Sequence, residues 1–396
     1  MQQITFAKRM ERIKGSEIRE AIKLTLKPNM ISFAGGLPAP EMFPVAEMKD
    51  AACHVMDETG AMAMQYATTE GFEPLREKIA VRMKEKYDIT AVPQDILITN
   101  GSQQGLDFSG RLFLDEGDVV LFESPSYMGA FNAFQAYQPQ FMEVPTDEDG
   151  MIPEALEKIL QTTQRIKMIY VIPDFQNPTG RTWSLERRKA FLEVVNRFHI
   201  PVIEDNPYGE LRYEGKAIPS LKSMDTEGLV IFLGSFSKIL APGYRIGWIC
   251  AAPEILQKYV FLKQGADLQP STISQMEISR FMELYDLDAH VERIRALYGK
   301  RRTLMLDTME AVFPKNIKFT RPHGGLFTWV ELPPQMDARE LLKKCVEKNV
   351  AYIPGGAFFP EGGKENTFRM NFSNMPEDKI VEGIRRMGEV LREELL

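Results

Sequence analysis

Cysteine is nearly missing from this chain. Its 396 residues hold three, Cys53, Cys250 and Cys345, far apart and with no C-x-x-C pair. Neither a disulfide framework nor a zinc site is suggested. Histidine is also scarce: His54, His199, His290 and His323 show no metal-ligand spacing, and no metal is expected. No apolar run approaches the roughly 18 residues of a membrane helix, and the opening MQQITFAKRM has no apolar signal core. A cytoplasmic protein is the expectation. The net charge of −7 contains no block of one sign, which argues against nucleic acid as a partner. What is present is ordinary for a soluble globular protein, 44% hydrophobic and 26% charged residues. The length suffices for one large or two moderate cores.

Residues 1–30 are polar, with a helix predicted from about Ser16, where G-S-E-I-R-E sets an N-cap before acidic first-turn residues. Residues 31–43 read as a Gly- and Pro-rich loop, 45–59 and 72–86 as helices. From there short apolar strands at 96–99, 119–122, 140–144, 167–172, 202–204, 229–233 and 246–250 alternate with helices at 102–114, 153–161 and 184–198. Such alternation predicts an α/β fold, a mostly parallel seven-stranded sheet flanked by helices. Helical spacing then runs over 254–262 and 278–310. Shorter strands at 317–320, 326–331, 351–353 and 367–372 and a last helix at 376–396 indicate a smaller α+β unit.

One stretch gathers unusual chemistry. Residues 229–248 read LVIFLGSFSKILAPGYRIGW: a buried strand, then Ser235, Ser237 and Lys238, a Pro-Gly turn, and Arg245 before the next apolar run. Two hydroxyls, an amine and a guanidinium crowd one strand–loop–strand unit, enough to hold a phosphate and an amine-reactive group together. Ligands of open α/β sheets sit beyond the carboxyl ends of the strands. The other predicted strands deliver polar or aromatic groups there as well. Gly101, Ser102 and Gln103 come after 96–99 and open a helix, whose free N–H groups suit a phosphate. Tyr127 comes after 119–122, Asn177 after 167–172, and Asp205 and Tyr208 after 202–204. Taken singly, each has a plainer reading: Ser102 as an N-cap, Asn-Pro-Thr-Gly at 177–180 as a turn, Asp205 as a turn-former, Tyr127 as a core aromatic.

The pattern S-x-S-K-x-x-x-P-G-x-R-x-G, residues 235–247, resembles the cofactor-lysine signature of class I aminotransferases, fold type I enzymes that use pyridoxal 5′-phosphate (PLP). The segments after the other strands resemble their counterparts in the same order. The resemblance implies that Lys238 bonds the cofactor covalently, that Ser235, Ser237, Arg245 and the 101–103 turn hold its phosphate, and that Asp205 pairs with its ring nitrogen. It further implies that Asn177 and Tyr208 bond the phenolic oxygen and that Tyr127 stacks on the ring. Arg369, in F-R-M-N-F-S, matches the arginine for the substrate carboxylate, with Gly36 beside it. Tyr66 matches a residue that reaches the phosphate of the neighbouring subunit, implying a homodimer with shared active sites; a locally packed loop tyrosine is its rival. By the same resemblance the chain divides into an arm, 1–45, joining a small domain at 286–396, and a large PLP-binding domain at 46–285.

The implied activity is ping-pong transfer of an amino group between an L-amino acid and a 2-oxo acid, 2-oxoglutarate being the expected second couple. The start G-S-E-I-R-E and the later F-A-G-G-L-P are similar to the 2-aminoadipate and kynurenine aminotransferase branch. There Ser16 and Arg19 would meet a distal substrate carboxylate, against the alternative of a solvent-facing helix; aromatic and aliphatic substrates stay open. A PLP-dependent C–S β-lyase would use nearly the same cofactor shell. An aminotransferase-like regulatory domain is disfavoured, since residues 1–45 are too short for a DNA-binding module.

Overall fold

The computed structural model describes residues 4–11, 13 and 29–395. Ser16, Arg19 and the helix predicted around them lie outside the described residues. Seven strands build the main sheet: β1 (Ile96–Thr99), β2 (Val119–Glu123), β3 (Gln140–Val144), β4 (Ile166–Val171), β5 (Val202–Asp205), β6 (Val230–Ser235) and β7 (Gly247–Cys250). Their spatial order is β1-β7-β6-β5-β4-β2-β3. All pairs are parallel except those of β7, which runs against both its neighbours.

The absence of polar alternation in these strands has a direct cause. Successive side chains go to opposite faces, and both faces are covered. Val120, Phe122, Met168, Tyr170 and Ile203 enter one core; Val119, Leu121, Ile169, Val171 and Val202 enter another across the sheet. Helices Ser102–Phe113 and Leu185–Phe198 supply cover on the two sides.

A second, antiparallel sheet orders Lys318–Phe319, Phe327–Glu331, Thr367–Asn371 and Ile353–Pro354 side by side. Its core takes in helices Ala338–Glu347 and Glu377–Leu395. The short segment Ile31–Ser32 pairs in parallel with Val350–Ala351, tying the chain's beginning to this part. Helix Leu287–Val312 serves both: Val291, Ile294 and Tyr298 pack into the main core, Met305, Leu306 and Met309 into the second.

Three of the predicted elements take a different form, and the helices Met128–Phe134 and Ala338–Glu347 come in addition to those predicted. The helix predicted over 278–310 is two, Thr272–Leu284 and Leu287–Val312. Asp286 breaks it by capping the second helix, its carboxylate accepting from the Ala289 amide at 3.0 Å. The helix predicted to end at 59 runs as Val45–Ala63 through a non-helical Thr59. The strand predicted at 351–353 is split into Val350–Ala351 and Ile353–Pro354. Among the described residues no helix is long and apolar enough to cross a membrane, and no cluster of His, Cys, Asp and Glu is placed to hold a metal.

Candidate active site

The parallel strands end at one edge of the sheet, and a cavity of about 280 Å³ opens there. Ser102, Gln103, Tyr127, Asn177, Asp205, Tyr208, Ser235, Ser237 and Lys238, all expected from the strand-end rule, line it together with Arg245, Arg369 and Gly36. Arg245 precedes a strand rather than trailing one. It belongs here because β7 is antiparallel: its first residue, Gly247, pairs with Thr99 and Ser235, so its amino end lies beside the carboxyl ends of β1 and β6.

The phosphate-like end is built from close backbone approach. Helix Ser102–Phe113 starts at Gly101, which sits at φ +74°. A Cβ on Gly101 would lie 2.6 Å from Arg245 Nη2, and one on Gly247 would lie 2.7 Å from the Ser102 amide nitrogen. Arg245 donates to the carbonyls of Asn100, at 3.4 Å, and Pro242, at 3.3 Å. Ser235 Oγ accepts from the Ser237 amide at 3.0 Å, which shapes the turn leading to Lys238. A helix N-terminus, hydroxyls and a guanidinium together suit a dianion.

Asp205 closes β5 and is buried. Its Oδ2 accepts from the Tyr170 hydroxyl at 2.8 Å, whereas Oδ1 is sealed from solvent with no hydrogen-bond partner. Burial raises the carboxyl to about 6, and the Tyr170 bond pulls the other way. A buried carboxylate oxygen without a donor is costly, so this one calls for a cationic or N–H group in the cavity. Its neighbour Glu204 points to the opposite face, where it accepts the amides of Leu221 and Lys222 at 3.0 and 2.8 Å.

Arg369, midway along Thr367–Asn371, donates to Asn177 Oδ1 and to the Ala34 carbonyl, each at 2.7 Å. Its guanidinium lies 4.1 Å from the Phe327 ring centre and 5.0 Å from that of Phe358. Burial lowers it to about 10, so it stays charged at neutral pH. Asn177 in turn donates to the Tyr208 hydroxyl at 3.4 Å.

The Lys238 amine donates to the Gly36 carbonyl at 2.8 Å. Burial lowers it to about 8, helped by the charges of Arg369 and Arg245. Only the neutral amine attacks a carbonyl. With a group at about 8, roughly a tenth is neutral at pH 7, against less than a thousandth for an ordinary lysine. Covalent uptake of an aldehyde cofactor by the cofactor-free protein should therefore quicken with pH and level off above about 8. Stopped-flow absorbance checks this, and a rate still climbing at pH 10 would contradict it.

Two expected residues stand apart. Tyr66 is 80% exposed and does not line this cavity, and Gly101 lies just behind the lining against Arg245. Reading the sequence missed Tyr170, Phe327 and Phe358. Tyr170 had a signal: a tyrosine inside a fully buried strand needs a partner for its hydroxyl, and two residues on, Ile172 lines the cavity on the same side.

The site fits PLP. Asp205 Oδ1 lacks the donor that a protonated ring nitrogen supplies, Lys238 is an amine in reach of the same space, and the Ser102–Arg245 end is made for phosphate. Comparison with known proteins agrees. Residues 29–387 match the family described as aminotransferase class I and II. Aromatic-amino-acid aminotransferase 1 of Thermococcus litoralis is 45% identical over 394 residues, 98% of this chain and 94% of its own length. A 2-aminoadipate transaminase of Thermus thermophilus is 44% identical over 390 residues, 98% of this chain and 96% of its own. The crystal structure of Pyrococcus horikoshii kynurenine aminotransferase, in complex with PMP, superposes with a TM-score of 0.95 at 43% identity, covering 99% of this chain and 98% of that one.

Proposed function

This chain belongs to the class I and II aminotransferase family and is a PLP-dependent transaminase of fold type I; on that premise we propose that it moves amino groups from 2-aminoadipate and aromatic L-amino acids to 2-oxoglutarate. The observation that carries the proposal is the single cavity shared by Lys238, Asp205 with its free oxygen, and Arg369. In this reading Ser102, Gln103, Ser235, Ser237 and Arg245 hold the phosphate, Asp205 and Tyr127 the ring, and Asn177 and Tyr208 the phenolic oxygen. Bound there, PLP withdraws electrons from the substrate Cα and makes its proton removable.

The chain's own groups do the rest. Arg369 binds the α-carboxylate through a two-pronged, charge-assisted contact, which sets the Cα proton towards Lys238. Lys238 Nζ takes that proton as general base, its lowered basicity keeping it largely free at mildly alkaline pH, and gives it back as general acid. The Phe327 ring, which lines the cavity beside Arg369, offers apolar surface to a large side chain, and Phe358 packs on Arg369 from behind the lining.

Three further parts of the proposal are a homodimer in which the exposed Tyr66 reaches the partner's phosphate, a cytoplasmic location, and the division at 1–45, 46–285 and 286–396. The Ile31–Ser32 pairing with Val350–Ala351 supports grouping the arm with the last part. The test of substrate class is a panel of half-reactions. Aminoadipate, kynurenine, phenylalanine, leucine and glutamate are mixed singly with the PLP form and the absorbance is monitored. Fast conversion by aminoadipate, aromatic amino acids and glutamate is expected. Conversion by leucine alone, with none by aminoadipate or the aromatic amino acids, would refute the proposal.

A further inference from the structure

Behind the 101–103 turn lies a polar network that no step above uses. Lys263, on helix Pro253–Ala266, is fully buried. Its amine donates to Asp267 Oδ1 and Oδ2 at 2.9 and 3.0 Å and to Gln104 Oε1 at 2.8 Å. Asp267, just past the end of the helix, also accepts from Asn100 Nδ2 at 2.6 Å and Gln104 Nε2 at 2.7 Å. Gln104 Oε1 takes the Asn100 backbone amide as well, at 3.0 Å. Asn100 is thus held by main chain and side chain together, and its carbonyl is the one that receives Arg245.

The geometry points to Asp267 as a positioning residue for the phosphate end of the cavity, acting through Asn100 and Gln104 on the Gly101–Ser102 turn and on Arg245. This rests on the reading of that turn as the phosphate cradle. A buried ion pair adds little stability that apolar packing would not. What apolar side chains cannot supply is a set of aimed hydrogen bonds on a turn with little steric slack. Gly101 has φ +74°, and the Arg245 guanidinium lies 2.6 Å from where a Cβ would stand. A small drift of Asn100 would move Ser102 and Arg245 at once, and both line the end of the cavity read as the phosphate cradle. The ring end, held by Asp205, Asn177 and Tyr208, stands on other strands.

Asp267→Asn keeps the shape but removes the charge that holds Lys263 and weakens the acceptor shared by Asn100 and Gln104. The measurement is equilibrium binding to the full-length, cofactor-depleted protein of two ligands, PLP and pyridoxal, which lacks the phosphate. Expected is a loss of about tenfold in PLP affinity, the size of one or two missing hydrogen bonds, with pyridoxal affinity within about twofold of the parent. Gln104→Met, which disturbs no charge, should shift PLP the same way by a smaller factor and covers the case in which Asp267→Asn does not fold. Equal shifts for both ligands, or none for either, would overturn the positioning role. If the parent protein itself failed to prefer PLP over pyridoxal, the phosphate reading of the turn would fall instead.

Discussion

Replacing Lys238 by alanine is expected to lower turnover by about 10⁴-fold or more, since one side chain supplies both the covalent anchor and the proton carrier at Cα. The fold should survive. Lys238 is on a turn, makes one hydrogen bond, to the Gly36 carbonyl, and costs the protein burial of an amine. Its loss therefore relieves a penalty rather than opening a core. PLP should still enter, held by the Ser102–Arg245 end and by Asp205, but without the absorbance that marks a covalent link to lysine. Circular dichroism, absorbance and turnover measured on one preparation separate these outcomes. Turnover near that of the parent would end the assignment of Lys238.

Asp205→Asn should be the second most damaging change, lowering kcat/KM by roughly 10³-fold, a loss typical of removing a preorganised charge from a dry site. The amide can still accept from the Tyr170 hydroxyl, so the local packing is kept. It cannot hold a proton on the ring nitrogen, because a cation there would be buried without a counter-charge. The cofactor should remain covalently bound, with its absorbance present and its response to amino acid slow. That combination distinguishes the variant from Lys238→Ala. The kinetics of a single half-reaction with glutamate report it directly, and a variant within tenfold of the parent would contradict the role given to Asp205.

Much of the site was legible because buried parallel strands read as plain apolar runs, and the residues just past each run are the ones the sheet presents at its edge. Ser102, Tyr127, Asn177, Asp205 and Lys238 come from five such runs and line one cavity. Arg245 was legible from its place in the Ser235–Gly247 unit and from the family pattern but not from the strand-end rule, since strand direction, and with it the side on which β7 begins, is not written in an apolar run. The break at Asp286 was missed because an N-cap aspartate inside a continuing apolar period looks like one more polar position. The helix Ala338–Glu347 was missed although Asp337 caps it, its carboxylate accepting from the Arg339 and Glu340 amides. Phe327 and Phe358 were invisible for another reason: buried aromatic residues are assigned to the core, and only tertiary placement shows that Phe327 lines the cavity and that Phe358 packs beside Arg369. The Lys263–Asp267 network lies further still from sequence, because its members gather from a turn, a helix start and a helix end.

The central claim is that a phosphate-tailed carbonyl compound is bonded through the Lys238 amine where these strands end. Borohydride reduction of the purified holoprotein makes such a bond permanent, and peptide mass spectrometry then locates it. The account predicts a single phosphopyridoxyl label, on Lys238, at a stoichiometry approaching one per chain. A label on another lysine, or none on a protein that still transaminates, would contradict it.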